Sequence, residues 1–527
     1  MFKVLVSDPI SDQGIGLLYE AQDVEVEKKT GLSEDELVAI IGEYDALLVR
    51  SQTKVTERIM NAGDRLKVIG RAGVGVDNID LEAATKRGIV VINAPDGNTI
   101  ATCEHTFAMM MSVARSIPQA YKKTVGGEWD RKTFVGVELR NKVLGVIGMG
   151  RIGSEVAKRA KAFGMDILGY DPFLTEERAE KIGVKLATVN EIAQQADFIT
   201  VHTPLTPETR HILGPAQFAM MKKGVRVINC ARGGIIDEAA LVDAVNQGIV
   251  AGAAFDVFEE EPPTADHPFL NNPKIIVTPH LGASTVEAQE NVAIDVSEEV
   301  LHILRNEPFK NAVNMPAVPA NVLNKLQPYF DLGEKLGRFL GQITEGAIRE
   351  IVINYAGDLV DVDTTPLTRY IVRGVLGNRL EGVNIVNAMH LAKTREVNIV
   401  IQKATAVTSF TNLVTVTLKT KAEERVAAGT LLAGYGDRIV QIDQYPVDFA
   451  PAGSMMLISH NDKPGIIGRV GTLLGSNDVN IATMQVGRKV VGGSAIMVLT
   501  VDKPASQDVL TELAKLPEIV GVRQFTI

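Results

Sequence analysis

Cysteine is nearly missing from this chain: Cys103 and Cys230 are the two in 527 residues. Two thiols cannot make the disulfide framework of a secreted scaffold, so the expected setting is a reducing one, the cytoplasm. A basic excess is missing as well. Lys and Arg number 54 against 64 Asp and Glu, a formal charge of −10, which argues against nucleic acid or an anionic membrane as partner but leaves room for a local cationic pocket. No run of about 18 uncharged apolar residues occurs, so no membrane-spanning helix is expected. The opening MFKVLVSDPI meets Asp8 after one short apolar run and reads as a strand, not a signal peptide. The 8 histidines and 2 cysteines show no metal-ligand spacing, and no catalytic metal is expected. What is present, 46% hydrophobic and 22% charged residues, excludes wholesale disorder. At roughly 150 residues per domain the length predicts three to four domains.

Short apolar strands alternate with amphipathic helices through the first ninety-odd residues: KVLVSD, VEVEK, ALLVRS, LKVIGRAG and IVVINAP are strands. Ser33 with Glu36 predicts a capping box on the second helix. A helix is expected from about Ile100 to Lys123. A second alternation then runs from KVLGVIG through DILGYDP, FITVHTP, VRVINCARG, VAGAAFDVF and KIIVTPHLG. Another helix is expected from about Ser284 to Arg305, with a capping box formed by Ser284 and Glu287. Such alternation predicts an α/β fold of two doubly wound parallel-sheet units, with the two long helices at the crossings between them. Pro308, Pro316 and Pro319 mark residues 306–321 as a linker. Residues 322–450 mix helix and strand without a chemical motif. Beyond Pro451-Ala452-Gly453 the order β-α-β-β-α-β is ferredoxin-like.

The glycine motif Gly148-Met149-Gly150-Arg151-Ile152-Gly153 follows a strand and opens a helix, and Asp171 lies 23 residues beyond Gly148 at the end of the next strand. Gly148 permits the tight turn, Gly150 the approach of a pyrophosphate and Gly153 the packing of helix on strand. The helix N-terminus takes the phosphate charge and the carboxylate takes the ribose hydroxyls. An acid there repels a 2′-phosphate, so NAD is expected over NADP. Three more groups end strands of the same unit: Arg232 in CARGG, Glu261 in DVFEEEPP and His280 in TPHLGAS. Alone, each reads as an ordinary surface charge or cap. Together, on the carboxyl edge of one parallel sheet, a His–carboxylate pair plus an Arg is what oxidation of a 2-hydroxy acid requires: a base, a group that orients it, and a cation for the carboxylate and carbonyl oxygen.

These motifs in this order resemble the D-2-hydroxyacid dehydrogenase family over about residues 1–310, and the full length resembles its long-form D-3-phosphoglycerate dehydrogenase branch, which adds an intervening domain and a C-terminal ACT domain. The resemblance implies a substrate domain (1–95 and 284–315), an NAD-binding domain (96–283), an intervening α+β domain (316–450) and an ACT regulatory domain (451–527). It puts catalysis on Arg232, Glu261 and His280. Cofactor contacts fall on Val74, Gly148, Gly150, Arg151, Ile152, Gly153, Asp171, Thr203, Cys230, Ala231, Asp256, Gly282 and Ala283, and substrate contacts on Arg50, Ser51, Arg71, Gly73 and Asn98. The implied reaction is NAD-dependent oxidation of 3-phospho-D-glycerate to 3-phosphohydroxypyruvate, the first step of serine biosynthesis, by a homodimer or homotetramer. In the last unit, Asp462 beside the Pro464-Gly465 turn, His460 and Asn480 offer the groups an amino-acid zwitterion needs, and the family's effector is serine.

Two other readings stand beside this one. A dehydrogenase of an unphosphorylated acid, glycerate or 2-hydroxyglutarate, needs the same triad, although Arg50, Arg71 and Arg131 favour a phosphate. A dinucleotide-sensing protein without catalysis, such as the corepressors that resemble these enzymes, can keep the triad too. Cys103 and the run Met109-Met110-Met111 read as core, and His202 as packing beside the cofactor.

Overall fold

The five apolar runs of the first unit form β1 (Phe2–Val6), β2 (Val24–Lys28), β3 (Ala46–Val49), β4 (Val68–Arg71) and β5 (Val90–Asn93), all parallel, in the order β2-β1-β3-β4-β5. The computed structural model describes residues 1–316, 318–404 and 410–527. Alternate residues of β3 serve opposite faces. Ala46 and Leu48 pack with Val292, Val296 and Val300 of the helix Val286–Leu304, while Leu47 and Val49 pack with Leu37, Ile59 and Ala83 of three other helices. Burial on both faces explains why the strand is continuously apolar. Each fully buried Val or Leu contributes about 1.5–3 kcal/mol, so this layer holds the late helix on the early sheet.

The second unit contains β6 (Val143–Ile147), β7 (Asp166–Tyr170), β8 (Lys185–Leu186), β9 (Phe198–Val201), β10 (Val225–Asn229), β11 (Val250–Phe255) and β12 (Ile275–Val277). They are parallel, in the order β12-β11-β10-β9-β6-β7-β8. The strand order reverses between β6 and β9 here, and between β1 and β3 in the first sheet. Ligands of open α/β sheets bind at such reversals, outside the carboxyl ends of the strands.

Three expectations of detail are corrected. The helix expected over 100–123 is two, Thr99–Arg115 and Ile117–Val125, broken at Ser116 with φ +51°; Pro118 has no N–H and its ring clashes with the preceding turn. The helix after Ser284 is capped by Thr285, which accepts from Ala288, so Glu287 is not three residues beyond the cap and the expected box does not form; Ser284 belongs to the preceding turn, where its N–H donates to the Leu281 carbonyl. The Ser33–Glu36 box does form. Part of the 306–321 segment is also no free linker. Val313 N–H donates to Val91, Asn93 N–H to Asn311, and the Asn314 carboxamide bonds Val91 and Ile89, so 311–314 runs along the edge of β5.

Beyond it, the helices Ala320–Ile343 and Thr365–Gly377 cover a mixed sheet of β13 (Glu350–Gly357), β14 (Asn398–Ala404), β15 (Asn412–Lys419), β16 (Glu424–Leu432), β17 (Gly436–Ile442) and β18 (Tyr445–Phe449), in the order β14-β13-β15-β16-β17-β18. The last sheet, β20-β21-β19-β22, comprises β19 (Ser454–Asn461), β20 (Ile481–Arg488), β21 (Ser494–Val501) and β22 (Ile519–Thr526). The helices Ile466–Ser476 and Gln507–Lys515 cover one of its faces. Its other face, through Met455, Leu457, Ile496, Val498 and Phe525, shares one core with Phe339 and Phe449 of the preceding unit. That unit in turn docks on the first sheet's domain. Val386 enters its core and Asn384 Nδ2 donates to the Gly88 carbonyl at 2.7 Å. No helix among the described residues is long and apolar enough to cross a membrane.

Candidate functional site

The glycine turn after β6 is built by three different constraints. Gly148 has φ +96°, and a Cβ there would fall 2.6 Å from the His202 carbonyl after β9. A Cβ on Gly153 would fall 1.9 Å from the Gly148 carbonyl oxygen. A Cβ on Gly150 would meet nothing within 4 Å: its space is left open toward the cleft. The helix Arg151–Ala162 starts at Gly150 without a side-chain cap, so its first N–H groups offer an anion site. Asp171 at the end of β7 accepts from Met149 N–H (2.9 Å) and Phe173 N–H (2.8 Å), which aims the carboxylate beside the turn. Thr203 Oγ1, Thr102 Oγ1 and Asn98 Oδ1 are buried without a hydrogen-bond partner. Thr203 lies against Gly148 and Thr102 against Gly282, so these two orphaned atoms border the same cleft; Asn98 precedes Thr102 by one helical turn, its carbonyl accepting from Thr102 N–H. Buried polar atoms of this kind call for a partner, and a dinucleotide's polar edges fit them. Arg151 pairs with Asp96, Ile152 packs on the adjoining core, and Ala231 N–H donates to Asn229. Burial pushes the Cys103 thiol up to about 11 and the Cys230 thiol further still; both are inert core groups, as are Met109 and Met110. Burial lowers His202 to about 4, so its ring is neutral.

His280 and Glu261 meet at the carboxyl edge of this sheet, Nδ1 to Oε2 at 2.8 Å. Burial alone would raise the Glu261 carboxyl, but the His280 contact and the Phe258 N–H outweigh it and hold the group below its ordinary range. His280 Nε2 has no hydrogen-bond partner among the described residues. The residue is left-handed, φ +55°, at a cost of about 1–2 kcal/mol. Asp256 holds it there. Its buried carboxylate accepts from Thr278 Oγ1 (2.5 Å), Leu281 N–H (2.8 Å) and Gly282 N–H (2.8 Å), and His105 lies at 3.1 Å. The Asp256 side chain is therefore spent on the turn that carries His280, Gly282 and Ala283, a role its place among expected cofactor contacts did not reveal.

Arg232, after β10, reaches across to the first unit, where Nε lies 3.2 Å from Asp77. A Cβ on Gly75 would fall 2.0 Å from Arg232 Nη2, and one on Gly73 would fall 2.4 Å from Arg71 Nη1. The two guanidinium groups thus lie along one short turn, on either side of Val74. Burial lowers Arg71 to about 10, helped by the charges of Arg232 and Arg50. Arg50 and Ser51 follow β3 at the strand-order reversal. Asp8, after β1, anchors their loop by accepting from Arg50 N–H (2.6 Å), Gln52 N–H (3.2 Å) and Thr53 N–H (3.1 Å). Three cations facing one cleft, one of them desolvated, suit a small polyanion. The sequence reading passed over Asp8, Asp77 and Asn78. An acid just beyond the first strand of a parallel sheet, on the carboxyl edge where ligands bind, was the available signal for Asp8.

In the last unit the expected effector groups divide. His460, buried, is the penultimate residue of β19 and has Nε2 unpartnered. Asp462 accepts from Arg488 (2.7 Å) and Gly492 N–H (3.1 Å). Asn480 precedes β20 and donates to Asp502 at 2.8 Å. Through β21, His460 and Arg488 both pair with Ala495, whereas Ser454 and Ile481 pair with Val501. Asp462 and Asn480 are therefore at opposite ends of the sheet, roughly 20 Å apart at ~3.3 Å per residue. One chain does not bring them together.

The family model of the D-isomer specific 2-hydroxyacid dehydrogenase NAD binding domain matches residues 107–282. Those of the D-3-phosphoglycerate dehydrogenase intervening domain and the ACT domain match 325–443 and 454–518. A D-3-phosphoglycerate dehydrogenase of Bacillus subtilis is 48% identical over 525 residues, 99% of both chains. One of Methanocaldococcus jannaschii is 46% identical over 524 residues, again 99% of both. A D-lactate dehydrogenase of Aquifex aeolicus, solved with NAD and lactic acid, is 28% identical with a TM-score of 0.51, covering 58% of this chain and 96% of its own. With its NAD-binding domain, intervening domain and ACT domain in this order, the chain belongs to the D-3-phosphoglycerate dehydrogenases, a branch of the NAD-dependent D-2-hydroxyacid dehydrogenases.

Proposed function

We propose that this chain oxidises 3-phospho-D-glycerate to 3-phosphohydroxypyruvate, and that Arg232, Glu261 and His280 carry the chemistry. The observation that carries the reading is the His280–Glu261 pair on the same cleft as Arg232 and the Arg71 turn. With Nδ1 on the carboxylate, His280 Nε2 takes the proton of the C2 hydroxyl as the C–H bond breaks and the C=O bond forms. When bound, NAD supplies the acceptor for the hydride that leaves C2. Glu261 keeps the imidazole oriented and stabilises the imidazolium. Arg232 holds the carboxylate and the developing carbonyl oxygen, and Arg71 and Arg50 hold the phosphate. Gly148, Gly150, Arg151, Ile152 and Gly153 receive the pyrophosphate and Asp171 the ribose. Val74, Asn98, Thr203, Cys230, Ala231, Gly282 and Ala283 border the rest of the cofactor, and Ser51 and Gly73 the substrate.

In this reading residues 1–95 with 284–315 carry the substrate, 96–283 the cofactor and 451–527 regulation, with 316–450 as the intervening domain, in a cytoplasmic homodimer or homotetramer. Serine is the effector, and the separation of Asp462 from Asn480 favours a site completed by a second chain. NADH formation from 3-phospho-D-glycerate, D-glycerate and 2-hydroxyglutarate, with NAD or NADP, tests the function. A clear preference for the phosphorylated acid with NAD is expected. Turnover of an unphosphorylated acid alone, or of none, would reject it in favour of another dehydrogenase or a dinucleotide sensor.

A further inference from the structure

Asn78 sits between the loop that carries Arg50 and Arg71 at the end of β4, and its carboxamide bonds both. Its Oδ1 accepts from Arg71 Nε at 2.9 Å. Its Nδ2 donates to the Arg50 carbonyl at 2.9 Å and to the Thr53 carbonyl at 2.6 Å. These partners fix the orientation of the amide, since a guanidinium N–H needs an acceptor and two carbonyls need donors. Asp8 anchors the backbone of the 50–53 loop, but among the described residues only Asn78 ties the Arg71 side chain to that loop. The tie matters because Arg71 is partly desolvated and repelled by Arg232 and Arg50, opposed by the charges of Asp77 and Asp8; without the Asn78 carboxamide its side chain has no hydrogen-bond partner among the described residues. With Nε occupied, Nη1 and Nη2 remain for a ligand. The holder is also neutral. A carboxylate at this position would grip Arg71 harder and cancel the charge a phosphate must meet.

The structure assigns Asn78 the part of a positioning residue that sets the preference for a phosphorylated over an unphosphorylated 2-hydroxy acid. This rests on the reading above, in which Arg50 and Arg71 receive the phosphate. The two failures separate. An unmodified enzyme without preference for the phosphorylated acid overturns both, whereas a preference that Asn78 variants leave intact overturns only the role of Asn78.

The test is steady-state kinetics of the full-length enzyme with NAD on 3-phospho-D-glycerate and D-glycerate. Asn78→Ala loosens Arg71, and the isosteric Asn78→Asp neutralises it. Each is expected to raise KM for the phosphorylated acid about tenfold, the scale of one charge-assisted hydrogen bond, with kcat within about threefold and KM for glycerate within about twofold. Because Asn78 acts through Arg71, Asn78→Ala in an Arg71→Ala background should add less than about twofold. Asn78→Asp keeps the side-chain volume but turns a carboxylate oxygen toward the Arg50 and Thr53 carbonyls, so if either variant fails to fold, Asn78→Gln, which keeps a donor and an acceptor but displaces them by one methylene, decides by the same split between the two acids. Equal losses on both acids, or a full additional loss in the Arg71→Ala background, would show a merely structural residue and overturn the assignment.

Discussion

Replacing Glu261 by glutamine keeps the volume of the side chain and an acceptor for Phe258 N–H, and removes the charge that faces His280. The bond at stake is the 2.8 Å contact between Nδ1 and Oε2. A hydrogen bond to a charged group contributes about 1.5–3 kcal/mol and a neutral one about 0.5–1.5, so the imidazolium formed in the transition state loses about 1–1.5 kcal/mol. The side chains of His280 and Glu261 are 47% and 38% exposed, so water screens part of the loss and the lower end applies. At 1.4 kcal/mol per factor of ten, kcat/KM should fall about fivefold from this effect alone. If the glutamine amide instead donates to Nδ1, the proton moves to Nε2, the base is blocked, and the loss grows toward 10²–10⁴. The assay is NADH formation with 3-phospho-D-glycerate, with the dissociation constant of NADH measured in parallel and expected to hold. A rate within about twofold of the parent enzyme would refute the pairing as a working part of the site. The pH sign follows from the same contact. A carboxyl held below its ordinary range contributes stability above its unfolded pKa and loses it as pH falls through the lower folded value, so acid, not alkali, should break the pair.

Asp171→Ala should weaken NAD binding and narrow the preference over NADP, measured by titration with each reduced cofactor; a parent enzyme that already favours NADP would contradict the reading of Asp171. Gly153→Ala places a Cβ 1.9 Å from the Gly148 carbonyl oxygen, and thermal melting with and without NADH should show lower stability and little cofactor-dependent protection; native protection would contradict the packing. Serine titrated into the full-length protein by calorimetry should bind at millimolar concentration or below, and more weakly in Asp462→Ala. No binding would leave the last unit without this ligand.

Local patterns made much of this legible. Central strands such as β3 are continuously apolar because both faces are buried, and the motif Gly148–Gly153 with Asp171 announces its geometry through spacing alone. His280, Glu261 and Arg232 were expected on one sheet edge, and the parallel order brings them there. What escaped depends on contacts distant in sequence. Asn78 and Asp8 look like ordinary loop and strand-end residues until the loops after β3 and β4 are set side by side. The 311–314 segment, read as a linker from its prolines, gains an edge-strand role only because β5 leaves its edge open. Ser116 breaks a helix whose apolar pattern continues across Pro118. The separation of Asp462 from Asn480 was implicit in the β-α-β order, since the end of one strand and the start of the next parallel strand lie at opposite sheet ends.

The central claim is that a phosphorylated 2-hydroxy acid lies between the Arg50–Arg71 pair and the His280–Glu261 pair. A crystal structure with 3-phospho-D-glycerate and NAD tests it most directly. The phosphate is expected on Arg71 and Arg50, the carboxylate on Arg232 and the C2 oxygen within hydrogen-bond distance of His280 Nε2. A phosphate bound away from both arginines, or a C2 oxygen turned away from His280, would contradict it.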